Sequence, residues 1–314
     1  MLSWTKRIGW RGRAILSSHQ LSQDNLAFLI EFSWEQKKNG LSDKTIETRT
    51  QALKKLSSLG ANLLNPDSVK TTLATANLSK GYHRIIVSSY TAFTKFKNIN
   101  WKPPKTDKTT KEPFLPTNEE VAQLISGCGK NTATFLQFLD ETGTRMGEAL
   151  STKWTDIDLK TKTVKINNPE KHGNTRTLPI SNNLIAMLNS LKKRKDNNVF
   201  NPNESSISTT FFRSRRRIAK KLKNPRLLQI HFHTLRHRKA TNEYYKTKDI
   251  LHVKYILGHK SLTSTQQYAH YQPFQEEKYH CKVSHNPEET QQLIENGFEY
   301  VTEQDRLKFF RKRK

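Results

Sequence analysis

Acid is scarce in this chain. Of 314 residues only 28 are Asp or Glu, against 54 Lys or Arg, and the formal net charge is +26. Such an excess repels itself unless it meets a polyanion, so nucleic acid is the first partner to consider and an anionic membrane surface the second. Long apolar runs are also missing, and the mean hydropathy is −0.79. No stretch approaches the length of a membrane span, which excludes spanning. Cysteine is nearly absent: Cys128 and Cys281 are the two. They cannot build a disulfide framework and they fit a reducing compartment. Met1 to Gln20 carries Lys6, Arg7, Arg11 and Arg13 but no acid and no apolar core. It is not a secretory signal, has a faintly transit-like composition, and reads as a mobile basic arm.

The length suggests two domains and is enough for a proper core. Residues 21–98 read as four helices with no convincing strand. In the first, Leu26, Leu29, Ile30 and Trp34 fall at helical spacing and mark a buried face that Phe28 and Phe32 widen. Gly40 ends it. Ser42 caps a second helix, which carries Ile46 and Leu53. A third follows Asn65-Pro66-Asp67, and a fourth spans 80–96 with Ile85, Ile86, Tyr90 and Phe93 inward. Residues 99–116, with Pro103, Pro104, Pro113 and Pro116 among lysines, read as a stiff basic linker. Thr117-Asn118-Glu119-Glu120 is a capping box that opens a second domain, 117–272. Helices are expected at 131–141 and 145–154, then two strands, Lys162–Asn167 and Arg176–Ile180, around a Lys-His-Gly-Asn turn. Helices return at 182–195, 207–222, 233–246 and 249–257. The tail, 273–314, holds one helix near 287–296, a short strand at 299–302 and a basic end. There is no internal repeat.

Several residues could carry chemistry. Arg145 follows Thr-Gly-Thr at a helix start, where an arginine can fork onto phosphate oxygens; alone it could simply pair with Glu148. His233 and Arg236 lie one helical turn apart and share a face. Lys171 sits where the hairpin turns, in a chain full of lysines. His259 follows Leu-Gly at a helix end and precedes Tyr268 by nine residues. A free tyrosine, with a pKa near 10, is a poor nucleophile at neutral pH unless a base and positive charge lie close. Its ordinary fate is to pack half-buried on a core. The run Phe212–Arg226 is dense in basic residues suited to phosphate contacts.

Taken together, the strings TGTRMGEAL, KHGNTRTLPI, HTLRHRKAT and LGHKSLTSTQQY resemble those of the tyrosine recombinase (phage integrase) family, which includes lambda, Cre and Xer recombinases. The resemblance covers residues 20 to 272. It implies a mainly α fold with a small β-hairpin: a helical core-binding, SAM-like domain followed by an α+β catalytic domain. By resemblance Arg145, Lys171, His233, Arg236, His259 and the nucleophile Tyr268 are the catalytic set, and Glu148 buttresses the first arginine. His233 is then the base for the phenol and Lys171 the acid for the departing 5′-oxygen. Lys102, Lys105, Arg213, Arg215, Arg216, Arg217, Lys220, Lys221 and Arg238 are candidate DNA contacts. The implied activity is site-specific recombination or integration through a 3′-phosphotyrosine, with no metal and no cofactor. The implied partners are double-stranded recombination sites and further copies of the chain, a tetramer in the synapse, in the cytoplasm or nucleoid. Arg238, Lys239 and Thr247 depart from the usual pattern. The tail looks similar to that of integrases from archaea and their mobile elements; the family uses this region to dock onto a neighbouring protomer, here through Ile294, Phe298 and Tyr300.

Three other readings compete. His231-Phe232-His233, if on a strand, would aim two imidazoles at one metal, as in rolling-circle tyrosine nucleases that leave a 5′ linkage. The charge alone would serve an architectural or regulatory DNA-binding protein without chemistry. A type IB topoisomerase shares much of the same chemistry. His280, Cys281 and His285 form an incomplete metal set in a polar tail.

Overall fold

The computed structural model describes residues 23–106, 112–192, 195–269, 279–304 and 307–313. The expected basic arm at 1–20 lies outside them. The chain divides into two compact units, Met1–Thr110 and Lys111–Lys314.

Among the described residues the first unit has four helices: α1 (Gln23–Lys38), α2 (Asp43–Ser58), α3 (Pro66–Thr75) and α4 (Lys80–Phe96). Each of the last three starts at a side chain that accepts a backbone N–H. Ser42 takes that of Thr45, Asn65 those of Asp67 and Ser68, and Ser79 that of Tyr82. These caps satisfy donors that a helix start leaves unpaired. The core is Leu29, Phe32, Leu53, Leu56, Ile86, Tyr90 and Phe93. Phe32 meets Phe93 edge-on at 5.5 Å, and the buried Tyr90 hydroxyl donates to the Leu63 carbonyl. The expected face of α1 is corrected here. Ile30 is 60% and Trp34 51% exposed, while Leu29, Phe32 and Gln36 point inward. Two apolar stripes one residue apart both fit helical spacing, and the phenylalanine contacts decide between them. Ile85, expected inward, is 40% exposed, because Ile86 and Val87 face the core instead.

The second unit opens with α5 (Asn118–Gly127), whose capping box of Thr117 and Glu120 is present. Then come α6 (Lys130–Thr142) and α7 (Met146–Leu150). The helix expected to reach residue 154 stops at Leu150, where Ser151 and Thr152 hydroxyls bond back to the Glu148 carbonyl. A three-stranded antiparallel sheet follows: β1 (Ile157–Asp158), β2 (Thr163–Ile166) and β3 (Arg176–Pro179). Val164 pairs with Leu178 and Ile166 with Arg176, so alternate residues face the core. The helices α8 (Asn182–Asn189), α9 (Glu204–Lys221), α10 (Phe232–Thr247), α11 (Ile250–Leu257) and α12 (Thr263–Gln266) complete the main body. α8 ends six residues earlier than expected. Phe135, Phe138, Phe200, Phe211 and Phe232 pack edge-on or stacked at its centre.

Past residue 278 the chain forms β4 (Tyr279–Ser284), α13 (Pro287–Glu295), β5 (Glu299–Gln304) and β6 (Leu307–Arg313), with strand order β4-β6-β5. The helix and β5 were expected. β4 and β6 were not, and the basic end proves to be the central strand. Phe310, 1% exposed, is its anchor, with Leu293 of α13 also buried. Ile294 and Tyr300 are exposed.

Burial of the Phe93 ring predicts that Phe93→Ala destabilises the first unit by about 3–5 kcal/mol. Denaturant unfolding of the variant against the parent measures it.

Candidate active site

Two helix ends define the site. α6 stops at Gly143 and α11 at Gly258, both left-handed, with φ of 62° and 64°. Such turns favour glycine and aim the chain sharply away from the helix. Between these ends lies the guanidinium of Arg236, 1% exposed. Its Nη1 donates to the Gly143 carbonyl at 2.7 Å and its Nη2 to the Leu257 carbonyl at 2.7 Å. Nη2 also lies 3.0 Å from His259 Nε2. An arginine can only donate, so His259 Nε2 accepts and its proton sits on Nδ1, 2.9 Å from Thr265 Oγ1. The sequence-expected Arg236 and His259 are thus in direct contact.

The second centre is Glu148, 1% exposed. Its carboxylate accepts from the Arg145 backbone N–H at 3.0 Å, Arg145 Nη1 at 2.8 Å, Arg176 Nη2 at 2.6 Å and the Glu170 backbone N–H at 3.2 Å. Burial alone would raise its pKa, but Arg176 and the Arg145 N–H hold it below the ordinary carboxylate value. Arg145 Nη1 also reaches the Glu170 carbonyl. That ties α7 to the short 3-10 turn Glu170–His172, which carries Lys171 in a left-handed conformation at φ 54°, ψ 40°. Lys171 is exposed.

Arg176 was not expected at all. It is fully buried, and its Nε donates to the Ile256 carbonyl at 2.6 Å. A Cβ on Gly258 would fall 2.6 Å from its Nη1, so glycine is required there for room as well as for backbone angle. One side chain therefore links β3, α7 and the end of α11. The signal available in the sequence was alternation: Arg176 stands at an inward position of a strand, where a charge needs a buried partner.

His233 and His237 lie one turn apart on α10, their rings edge-on at 4.6 Å. His233 is exposed, and cations lie close to it. Burial, then His237, Arg236, Arg145 and Lys171, push its pKa down to about 4. Burial, then Arg236 and Arg145, bring His259 down to about 4 as well. Arg236 falls to about 10 through burial and then Arg145. Tyr268, in the 3-10 turn after α12, is 1% exposed and packs with Ala240, Val253 and Leu257. Its hydroxyl lies 3.1 Å from Nδ1 of His237, a residue that the sequence reading passed over. The imidazole expected beside the phenol was His233, one turn earlier. The structure thus gathers Arg145, Lys171, His233, Arg236, His259 and Tyr268 into one region, with Glu148, Arg176 and His237 added.

Other expectations are corrected. Arg238 is buried and paired with Asp140 and Asn118. Arg215 is buried, with Nη1 on the Ile230 carbonyl and beside His231 Nδ1. Both are committed to the protein interior and are not phosphate contacts. Arg213, Arg216, Arg217, Lys220 and Lys221 are exposed on α9, and Lys102 and Lys105 are exposed in coil. His231 and His233 do not share a strand: Phe232 opens α10 and His231 is its cap, so the two imidazoles do not form a His-apolar-His metal pair. Among the described residues no group of three or more His, Cys, Asp or Glu is placed to hold a metal.

Residues 115–274 match the phage integrase family. The tyrosine recombinase XerA of Pyrococcus furiosus is 29% identical over 261 residues, covering 76% of this chain and 88% of that one. Two solved structures share the fold. The Tn1549 transposon integrase, in complex with transposon right end DNA, has a TM-score of 0.60 at 16% identity and covers 78% of this chain and 96% of its own. A lambda integrase tetramer bound to a Holliday junction has a TM-score of 0.60 at 16% identity, with 80% of each chain covered. Fold and relatives define a tyrosine recombinase, an enzyme of site-specific DNA recombination. Within that class the chain belongs to the phage integrase family.

Two stability effects follow from this geometry. Arg176→Ala leaves Glu148 buried with half its charge partners gone and costs about 3–5 kcal/mol, read by denaturant unfolding. The three imidazoles His233, His237 and His259 are all held below 6.5. The folded protein then resists protons that the unfolded chain accepts, so this stability is full above pH 6.5 and is lost as pH falls towards 4. A thermal melt series across that range should show Tm falling, and a His233→Asn, His259→Asn double variant should flatten the fall.

Proposed function

We propose that this chain cuts and rejoins double-stranded DNA through Tyr268, forming a 3′-phosphotyrosine and a free 5′-hydroxyl without a metal. The observation that carries this reading is that Arg236, with His259 in contact and Arg145 near it, lies close enough to a buried phenol for the two charges to interact. Arg145, Arg236 and His259 stabilise charge on the non-bridging oxygens as the phosphorus becomes five-coordinate. His233, on the same face of α10 as Arg236, joins them at the phosphate. Lys171, on an exposed turn that the Arg145–Glu170 bond anchors at one end, protonates the leaving 5′-oxygen. The phosphodiester energy is kept in the tyrosine ester, so the 5′-hydroxyl of a second strand reverses the step without ATP.

The exposed basic residues of α9 support a DNA partner, each neutralising backbone phosphate without reading sequence. Relatives solved on recombination sites and on a Holliday junction support assembly of several copies on DNA, four in the synapse. The exposed Ile294 and Tyr300 of the tail are the surface proposed for docking between copies. No helix among the described residues is long and apolar enough to cross a membrane. We place the protein with the DNA of its cell, in the cytoplasm or nucleoid.

Tyr268→Phe is expected to keep DNA affinity and lose every covalent adduct. The measurement is denaturing gel electrophoresis of protein mixed with nicked duplexes in a chelator, with filter binding alongside. Adducts that need a divalent metal, or that carry a 5′ linkage, would sink the reading.

A further inference from the structure

We propose that His237, rather than His233, takes the proton from Tyr268. The inference rests on the strand-transfer reading above and adds a residue to it. Three observations carry it. The Tyr268 hydroxyl is 3.1 Å from His237 Nδ1, within reach of direct proton transfer. The two rings are 5.7 Å apart and tilted by 49°, so the phenol oxygen meets the edge of the imidazole. Packing of Tyr268 against Ala240, Val253 and Leu257 holds the phenol in that place.

The electrostatics agree. Burial, then the Arg236 charge, lower the pKa of His237 below 6.5, so the ring is neutral at pH 7 and can accept. The charged and titratable groups recorded around it are few. On α10 these are His233, edge-on, and Arg236. From the turn after α12 comes Tyr268 itself. The Asp140 carboxylate of α6 is spent on Arg238, and His252 of α11 on Glu243. Among the described residues no carboxylate bonds to His237, and burial and Arg236 both disfavour its protonated form.

The step balances without an outside reagent. The O–H bond of Tyr268 breaks and its proton passes to His237 Nδ1, leaving an imidazolium. The phenolate lone pair forms the new oxygen–phosphorus bond. The bond from phosphorus to the 5′-oxygen breaks, and that oxygen takes a proton from Lys171. Rejoining runs the same transfers backwards. In the resting state the hydroxyl donates to Nδ1, so the imidazole proton belongs on Nε2. His233, facing the His237 ring at 4.6 Å, is left to the phosphate.

The test uses the full chain and a pool of nicked duplexes with randomised sequence. Duplexes trapped as adducts by the parent protein are sequenced, and one is resynthesised for single-turnover cleavage across pH 5 to 9. The parent rate should fall as pH drops through the His237 pKa, below 6.5, because the acceptor must be neutral. His237→Asn preserves hydrogen bonding near Nδ1 but cannot take a proton. Both His237→Asn and His237→Ala should lose about 100-fold or more, and the acid limb should vanish in the Asn variant while His233→Asn retains it. Restoration of the parent rate by His237→Asn, or survival of its acid limb, overturns the assignment while leaving the recombinase reading intact. Absence of any adduct from the parent overturns both. Should the His237 variants fail to fold, ¹⁵N-histidine spectra of the parent at pH 7.5 decide: a protonated Nδ1 on His237 overturns the proposal, and a bare Nδ1 with a protonated Nε2 upholds it.

Discussion

A single buried carboxylate, Glu148, sets the geometry on which the site depends. It lies out of solvent and is shared by two guanidinium groups and two backbone N–H groups. A carboxylate so placed is stable only while all its partners stay in position, because an unpaired buried charge is far more costly than the pair is favourable. The ion pair therefore acts less as glue than as a coordinate system. Arg145 is aimed by it, the Lys171 turn is attached through Glu170, and Arg176 carries the constraint to the end of α11. Arg236 and His259 are then referred to that same helix end through the Leu257 carbonyl and Gly258.

The site contains more positive than negative charge. Arg145, Arg176 and Arg236 lie near Glu148, with Glu170 as a second acid whose pKa is pushed above the ordinary value by burial and then by the Glu148 charge; Arg236 itself is held by carbonyl oxygens and an imidazole. Carbonyl dipoles satisfy the guanidinium hydrogens without cancelling its charge. An arriving phosphate would meet an uncompensated positive field in a partly water-excluded site, where such a field counts most. Burial, and then the same field, depress the pKa values of the imidazoles, so they add no further cations at neutral pH.

Much of this was legible in the sequence, for identifiable reasons. The helices around Leu53, Phe93 and Leu124 show apolar periodicity, and their starts carry Ser42, Ser79 and Thr117. Arg145, Lys171, Arg236, His259 and Tyr268 stand out because their spacing is shared with a family. What the sequence hid was held by tertiary contact alone. Ile30 and Leu29 offer equally regular helical stripes, and only Phe32 meeting Phe93 selects one. Arg215 and Arg238 read as surface charge because nothing local announces Ile230, Asp140 or Asn118 as partners. β6 reads as a basic tail because Lys308, Arg311 and Lys312 obscure the buried Phe310.

His237 was hidden differently. It stands inside the most recognisable string of the chain, next to Arg236, and its spacing from His233 was plain. A helix turn brings both imidazoles to one face, so sequence alone makes them equivalent candidates for the phenol. Chain geometry breaks the tie. The turn after α12 returns Tyr268 to the later part of α10, against Ala240, rather than to its first residue. The phenol oxygen therefore meets the imidazole nearer the middle of the helix, while the one at the helix start stays exposed. Which of two similar groups one turn apart meets the phenol follows from where the turn that carries Tyr268 can land.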